Sequence, residues 1–124
     1  MENQKRILLF DLDGTLLRND KVLSEYTLEI LLKCRKCGYL IGVSTSRGEQ
    51  NCLGFLREMK PDILISSGGA LIQANGKIIS SSFFSATETK SFIKTARNIC
   101  GIDCEITVDT LDAHYWNNKT NHKE

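Results

Sequence analysis

The stretch ILLFDLDGTLL, residues 7–17, runs four strongly apolar residues straight into two acids, Asp11 and Asp13, with Gly14-Thr15 and two leucines behind them. Acids are costly to bury unless a cation pairs with them. A short continuous apolar run reads as a strand buried on both faces of a parallel sheet. Residues two apart on a strand point the same way. Asp11 and Asp13 are therefore expected to emerge together at the strand's carboxyl end, the edge where open α/β sheets bind ligands. Leu12 turns away into the protein, and Gly14 permits the bend that follows. Two carboxylates this close repel, and one stays protonated, unless a cation lies between them or the two have different tasks. A hard, oxygen-seeking ion such as Mg²⁺ answers that need and also brings phosphate. A plain Asp-Gly hairpin turn needs no second acid upstream. A calcium loop of the EF-hand type fails on spacing, with Leu16 where its glycine belongs and Val22 where its bidentate glutamate belongs.

Outward from this stretch the pattern is regular. Residues 14–23 carry turn signals, and Ser24 reads as the N-cap of a helix with Leu28, Leu31 and Leu32 at helical spacing and Gly38 at its end. Residues 39–43 form a second apolar run, 47–59 a second helix, and 63–65 a third run after Pro61. This alternation predicts a parallel α/β sheet with right-handed crossovers. After Gly68-Gly69 the pattern changes. Residues 70–73 and 77–81 flank Asn75-Gly76, a two-residue hairpin signal. Ser85 and Glu88 fit a capping box opening a helix with Phe92, Ile93, Ala96 and Ile99 on one stripe, and a last alternating strand is expected over 104–108.

The 124 residues suffice for one domain, or part of a larger one, with ordinary apolar (41%) and charged (25%) content. Sixteen basic and fifteen acidic residues are well mixed, which argues against a nucleic-acid footprint or a membrane anchor. No apolar run is long enough to span a bilayer, and the 7–10 run is too short for a signal peptide, so a cytoplasmic protein is expected. The five cysteines, Cys34, Cys37, Cys52, Cys100 and Cys104, are odd in number and irregularly spaced, as free thiols in a reducing compartment would be. The Cys34/Cys37 pair closes a helix rather than opening one, which disfavours a redox motif. His114 and His122 read as surface residues, and Tyr115 and Trp116 as part of an apolar face or an interface.

The second apolar run leads into Ser44-Thr45-Ser46-Arg47. A hydroxyl here, with a helix starting behind it, would suit a phosphate group; an ordinary N-cap is the other reading. Taken together, Asp11-Leu12-Asp13-Gly14-Thr15 after an apolar strand resembles the first motif of the haloacid dehalogenase (HAD) superfamily, and Thr45 its second. More narrowly the chain resembles the Cof-like phosphatase branch. It departs from that branch at Ser46, where Thr-Gly-Arg is common, and at Gly68, where Asn-Gly-Ala is common. The resemblance implies a Mg²⁺-dependent phosphatase acting on a small phosphorylated metabolite. Asp11 would be the nucleophile and Asp13 the acid/base. Leu12, Thr45 and Ser46 would hold phosphoryl oxygens, and Asp11 with the Asp13 carbonyl would be the metal ligands.

The resemblance also implies an architecture: a partial Rossmann-like core with a parallel sheet over 1–67, the start of an α+β cap over 68–116, and a polar tail over 117–124. In that branch a lysine and a last acidic motif lie after the cap, so the chain reads as about half of the usual length. The expectation is that either a second copy of the chain covers the incomplete sheet edges or the chain is a fragment. Lys94, Asp109 and Asp112 are an alternative source of the later motifs. The alternative function is a catalytically weak relative that binds Mg²⁺ and phosphate or pairs with another chain.

Overall fold

The computed structural model describes residues 4–117. The chain forms two compact units, Met1–Ser81 and Ser82–Glu124.

The first unit is a five-stranded sheet in the order β1 (Arg6–Phe10), β2 (Tyr39–Ser44), β3 (Ile63–Ser66), β4 (Leu71–Ala74) and β5 (Lys77–Ser81). The first three strands are parallel, and β4 and β5 continue the sheet antiparallel. The change of character expected near residue 68 thus falls at the β3–β4 turn but does not divide the molecule. Ile65 pairs with Ile72 and carries the hairpin on the same sheet, so the break comes after Ser81 instead.

Helices α1 (Glu25–Lys36) and α2 (Leu53–Met59) pack on one face of this sheet. Alternate residues along β1 and β2 place Leu8, Phe10, Ile41 and Val43 on that face, with Leu64 of β3, against Leu31 of α1 and Met59 of α2. Leu12, Leu16, Leu17 and Leu23 of the connecting loop complete the core. Burying each such leucine contributes roughly 1.5–3 kcal/mol. The opposite face is apolar too, but Ile7 and Leu9 remain about half exposed on it, at 52% and 48%.

Ser24 caps α1 by accepting the Thr27 amide at 3.1 Å. Gly38, at φ +91°, turns the chain into β2. Arg35 reaches from α1 to the carbonyl oxygens of Met59 and Lys60 and to Asp62, whose carboxylate accepts the Ile41 amide at 2.8 Å. One guanidinium thereby ties α1, the end of α2 and β2 together.

The second helix is shorter than the sequence predicts. Residues 45–48 are irregular, a 3₁₀ turn covers Glu49–Asn51, and only Leu53–Met59 is α-helical. The tertiary bonds of Arg47 described below compete with the helix: its amide goes to Thr45 Oγ1 and its carbonyl accepts the Ser67 amide.

The second unit holds α3 (Ala86–Cys100) and a hairpin of β6 (Ile106–Asp109) and β7 (His114–Asn117). Ser85 and Glu88 form the expected capping box. Strand β7 was not anticipated from sequence; Thr110 closes its turn by bonding Ala113. His114 is not a free surface residue, since its Nδ1 lies 2.5 Å from Asp109 Oδ1 across the hairpin. His122 and most of the polar tail lie outside the described residues. None of the five cysteines forms a disulfide.

Candidate active site

Strand β1 ends at Phe10, and the chain then turns tightly: the Leu12 carbonyl accepts the amides of Thr15 and Leu17 at 3.3 and 2.9 Å. Leu12 is fully buried, an anchor that fixes the flanking acids at the sheet's carboxyl end. Because regular strand geometry has stopped, Asp11 and Asp13 do not share one environment. Asp11 lines an open, polar cleft of about 390 Å³ with Ser44, Thr45, Ser46, Ile65, Gly68 and Gly69. Its carboxylate has no hydrogen-bond or ion-pair partner among the described residues.

Asp13 is the opposite case. Arg47 grips it with a two-bond fork, Nε to Oδ2 at 2.7 Å and Nη2 to Oδ1 at 2.8 Å. Lys21 adds a third bond to Oδ1 at 3.0 Å. The hydrogen bonds from Arg47 and then Lys21 hold the Asp13 carboxyl well below the usual carboxylate range, and Asp13 in turn raises Arg47. Sequence reasoning placed both acids but missed these two cations. The signal that could have found Arg47 is its place just behind Thr45-Ser46, at the end of the strand that neighbours β1.

Arg47 is itself anchored. Its Nη1 donates to the Asn51 carbonyl at 3.1 Å, and its guanidinium lies 5.4 Å from the Phe55 ring centroid. The loops after β2 and β3 are stitched together by Thr45 N to Ile65 O, Gly68 N to Thr45 O and Ser67 N to Arg47 O. Thr45 is buried to 4% exposure, and its hydroxyl accepts the Arg47 amide while keeping a proton to donate. No α-helix starts directly behind Thr45, so the helix-dipole contribution expected there is absent. Ser46 is exposed on the cleft. Gly68 and Gly69, at φ +64° and +101°, follow Ser67 at +49° and fold the β3–β4 turn back against the cleft; +101° is a backbone angle only glycine adopts readily.

The donor set is made of hard oxygens. The Asp11 carboxylate is free, and the Asp13 carbonyl accepts no backbone bond among the described residues. The Leu12 and Asp13 amides likewise meet no acceptor among them. No three His, Cys, Asp or Glu side chains converge among the described residues. That arrangement fits Mg²⁺, which keeps several waters and binds through one or two carboxylates plus substrate phosphate. It does not fit a closed zinc site. Lys94, Asp109 and Asp112 belong to the second unit, and the Asp109 carboxylate is engaged by His114.

Residues 8–124 match the haloacid dehalogenase-like hydrolases. The chain belongs to that family. Over 60 residues it is 33% identical to the 5-amino-6-(5-phospho-D-ribitylamino)uracil phosphatase YitU of Bacillus subtilis (strain 168), a match covering 48% of this chain and 22% of that protein. Its fold is similar to that of a hypothetical protein from Geobacillus kaustophilus HTA426, with a TM-score of 0.78 at 17% identity, covering 94% of this chain and 44% of that one. It is also similar to the HAD-superfamily phosphatase BT1666 of Bacteroides thetaiotaomicron, with a TM-score of 0.73 at 23% identity, covering 94% and 42%. The HAD-like chain therefore spans under half the length of these structures and about a fifth of the curated relative. No helix among its described residues is long and apolar enough to cross a membrane.

Proposed function

We propose that this HAD-like chain carries the nucleophile and acid/base end of a phosphomonoester hydrolase site acting on a small phosphorylated metabolite. The observation that carries the reading is the contrast between the two acids: Asp11 is unpartnered and faces the cleft, whereas Asp13 is held by two cations. A nucleophile must be free to attack, and an acid/base must be held in place.

In this reading an Asp11 carboxylate oxygen attacks phosphorus, and the bond to the leaving oxygen breaks as Asp13, turned out of the Arg47 fork and protonated from solvent, supplies that proton. Water then attacks phosphorus in the aspartyl-phosphate, giving its proton to Asp13, and phosphate and free Asp11 are released. The amides of Leu12 and Asp13 and the hydroxyls of Thr45 and Ser46 would hold phosphoryl oxygens. Mg²⁺, held by the Asp11 carboxylate and the Asp13 carbonyl, would neutralise charge on the nucleophile and the phosphoryl group. The Bacillus relative is a phosphatase of a phosphorylated ribitylamino compound, which supports the substrate class. A core that begins with residues 1–67 and keeps the β4–β5 hairpin on its sheet, a cap that starts after that hairpin rather than near residue 68, and a second copy covering the incomplete sheet edges belong to the same proposal.

A second reading, Mg²⁺ and phosphate binding without turnover, draws on the Asp13 fork, because a carboxylate gripped by both oxygens releases slowly into proton transfer. Mg²⁺-dependent hydrolysis of an aryl phosphate separates the two. Turnover that Asp11→Asn abolishes supports the hydrolase. A folded chain that binds Mg²⁺ and phosphate with no turnover supports the second reading.

A further inference from the structure

We propose that Lys21 is an exchangeable substrate-binding cation, which leaves Asp13 to meet the phosphoryl group when a phosphate ester enters the cleft. The inference rests on the phosphomonoester reading and adds to it a residue outside the two sequence motifs.

Three observations carry it. First, the charges are unequal: the single carboxylate of Asp13 faces two permanent cations, Arg47 and Lys21. The Arg47 fork already engages both carboxylate oxygens. Removing Lys21 therefore leaves Asp13 fully paired.

Second, the two cations are held very differently. The Arg47 side chain is 22% exposed and is fixed by Asn51 and Phe55 as well as by Asp13. The Lys21 side chain is 57% exposed and makes one bond, to Asp13 Oδ1. A lysine ammonium on a flexible four-carbon stem is suited to changing partners, whereas a forked guanidinium is not.

Third, the backbone gives lysine no reason to be there. Lys21 sits at φ +60° in a tight loop closed by Lys21 N to Arg18 O, Arg18 N to Val22 O and Val22 N to Asp20 Oδ1. Glycine or asparagine adopts that conformation at lower cost. The turn would form better without lysine, so the side chain is what the position serves. The turn aims the ammonium at the carboxylate of Asp13, two residues along the chain from Asp11, which lines the cleft. A phosphate dianion entering beside Asp11 brings more charge than the one carboxylate that Lys21 shares with Arg47.

Inorganic phosphate binding to the full chain in saturating Mg²⁺, followed by titration calorimetry, tests this alongside thermal melting. Lys21→Asn keeps the turn and removes the charge. It is expected to leave the melting temperature unchanged or raised while weakening phosphate binding about tenfold, the usual scale for one lost charged contact. Lys21→Arg is expected to recover most of the affinity. Lys21→Met is a second neutral variant should the asparagine chain fail to fold. Phosphate binding equal to wild type in a folded neutral variant overturns the role of Lys21 and leaves the phosphomonoester reading standing. A wild-type chain that binds no phosphate overturns both.

Discussion

Asp13 and Arg47, thirty-four residues apart in the chain, are joined by a two-bond fork of 2.7 and 2.8 Å at the carboxyl edge of the sheet. The fork closes because β1 and β2 are adjacent and parallel, with Phe10 opposite Val43, so that the loops leaving the two strands meet. Asp13 is partly exposed, which limits the energy to the upper end of the surface ion-pair range. Arg47→Met is expected to cost about 1 kcal/mol for the pair. It also removes the bond to the Asn51 carbonyl and the contact with Phe55. Urea melts of the variant and of Arg47→Lys check this. Lysine is expected to recover the charge but not the fork.

The same pair sets a pH dependence. The folded-state pKa of Asp13 is depressed, chiefly by the hydrogen bonds from Arg47 and then Lys21. Its contribution to stability is therefore fully present above the unfolded carboxylate pKa of about 3.9 and is lost as pH falls below it toward the lowered folded value. Stability measured between about pH 5 and pH 2 is expected to fall less steeply in Asp13→Asn than in the wild type. Equal slopes would mean that the fork is not formed in solution.

Asp11 should behave differently. It is exposed and unpartnered, so Asp11→Asn is expected to change stability by no more than about 0.5 kcal/mol. If the phosphatase reading holds, hydrolysis of an aryl phosphate is lost in the same variant. A melting curve and an activity assay on one preparation check both halves.

Ser66, at the end of β3, is fully buried, and its hydroxyl has no hydrogen-bond partner among the described residues. Leaving a buried hydroxyl unpaired costs roughly 1–3 kcal/mol. Ser66→Ala is expected to stabilise the chain by about 1 kcal/mol once the small loss of packing is offset. Destabilisation in a denaturant melt would reveal a partner for the hydroxyl in solution.

Gly42 lies in the row Leu9–Gly42–Ile63 on the less covered face of the sheet. A Cβ there would come within 2.7 Å of Leu9 Cδ1 and 3.3 Å of Ile63 Cβ. The Leu9 tip can swing aside because that side chain is half exposed, but Ile63 Cβ is fixed to the backbone. Gly42→Val is therefore expected to cost roughly 1–3 kcal/mol by overpacking, and Gly42→Ala clearly less.

Local pattern was enough for much of the fold. The apolar run before Asp11, the Ser24 cap, the Asn75-Gly76 turn and the Ser85/Glu88 capping box all depend on residues within a few positions of one another. Each appears where the sequence places it. Departures arose where distant segments compete. The helix expected over 47–59 gives way to a loop and a 3₁₀ turn because Arg47 spends its backbone and side chain on Thr45, Ser67 and Asp13. The hairpin after residue 70 reads locally as a new unit, yet pairing of β3 with β4 keeps it in the first sheet.

By itself the sequence determined that an apolar strand delivers two acids to the carboxyl edge of a sheet, since strand periodicity operates over a few residues; that this strand is an edge strand with one face half exposed was decided by the tertiary structure. Only the tertiary structure decided that the two acids differ, one open to the cleft and one held by Arg47 and Lys21. Charge pairing depends on distance in space, and the register of β1 on β2, not spacing along the chain, brings Arg47 to Asp13.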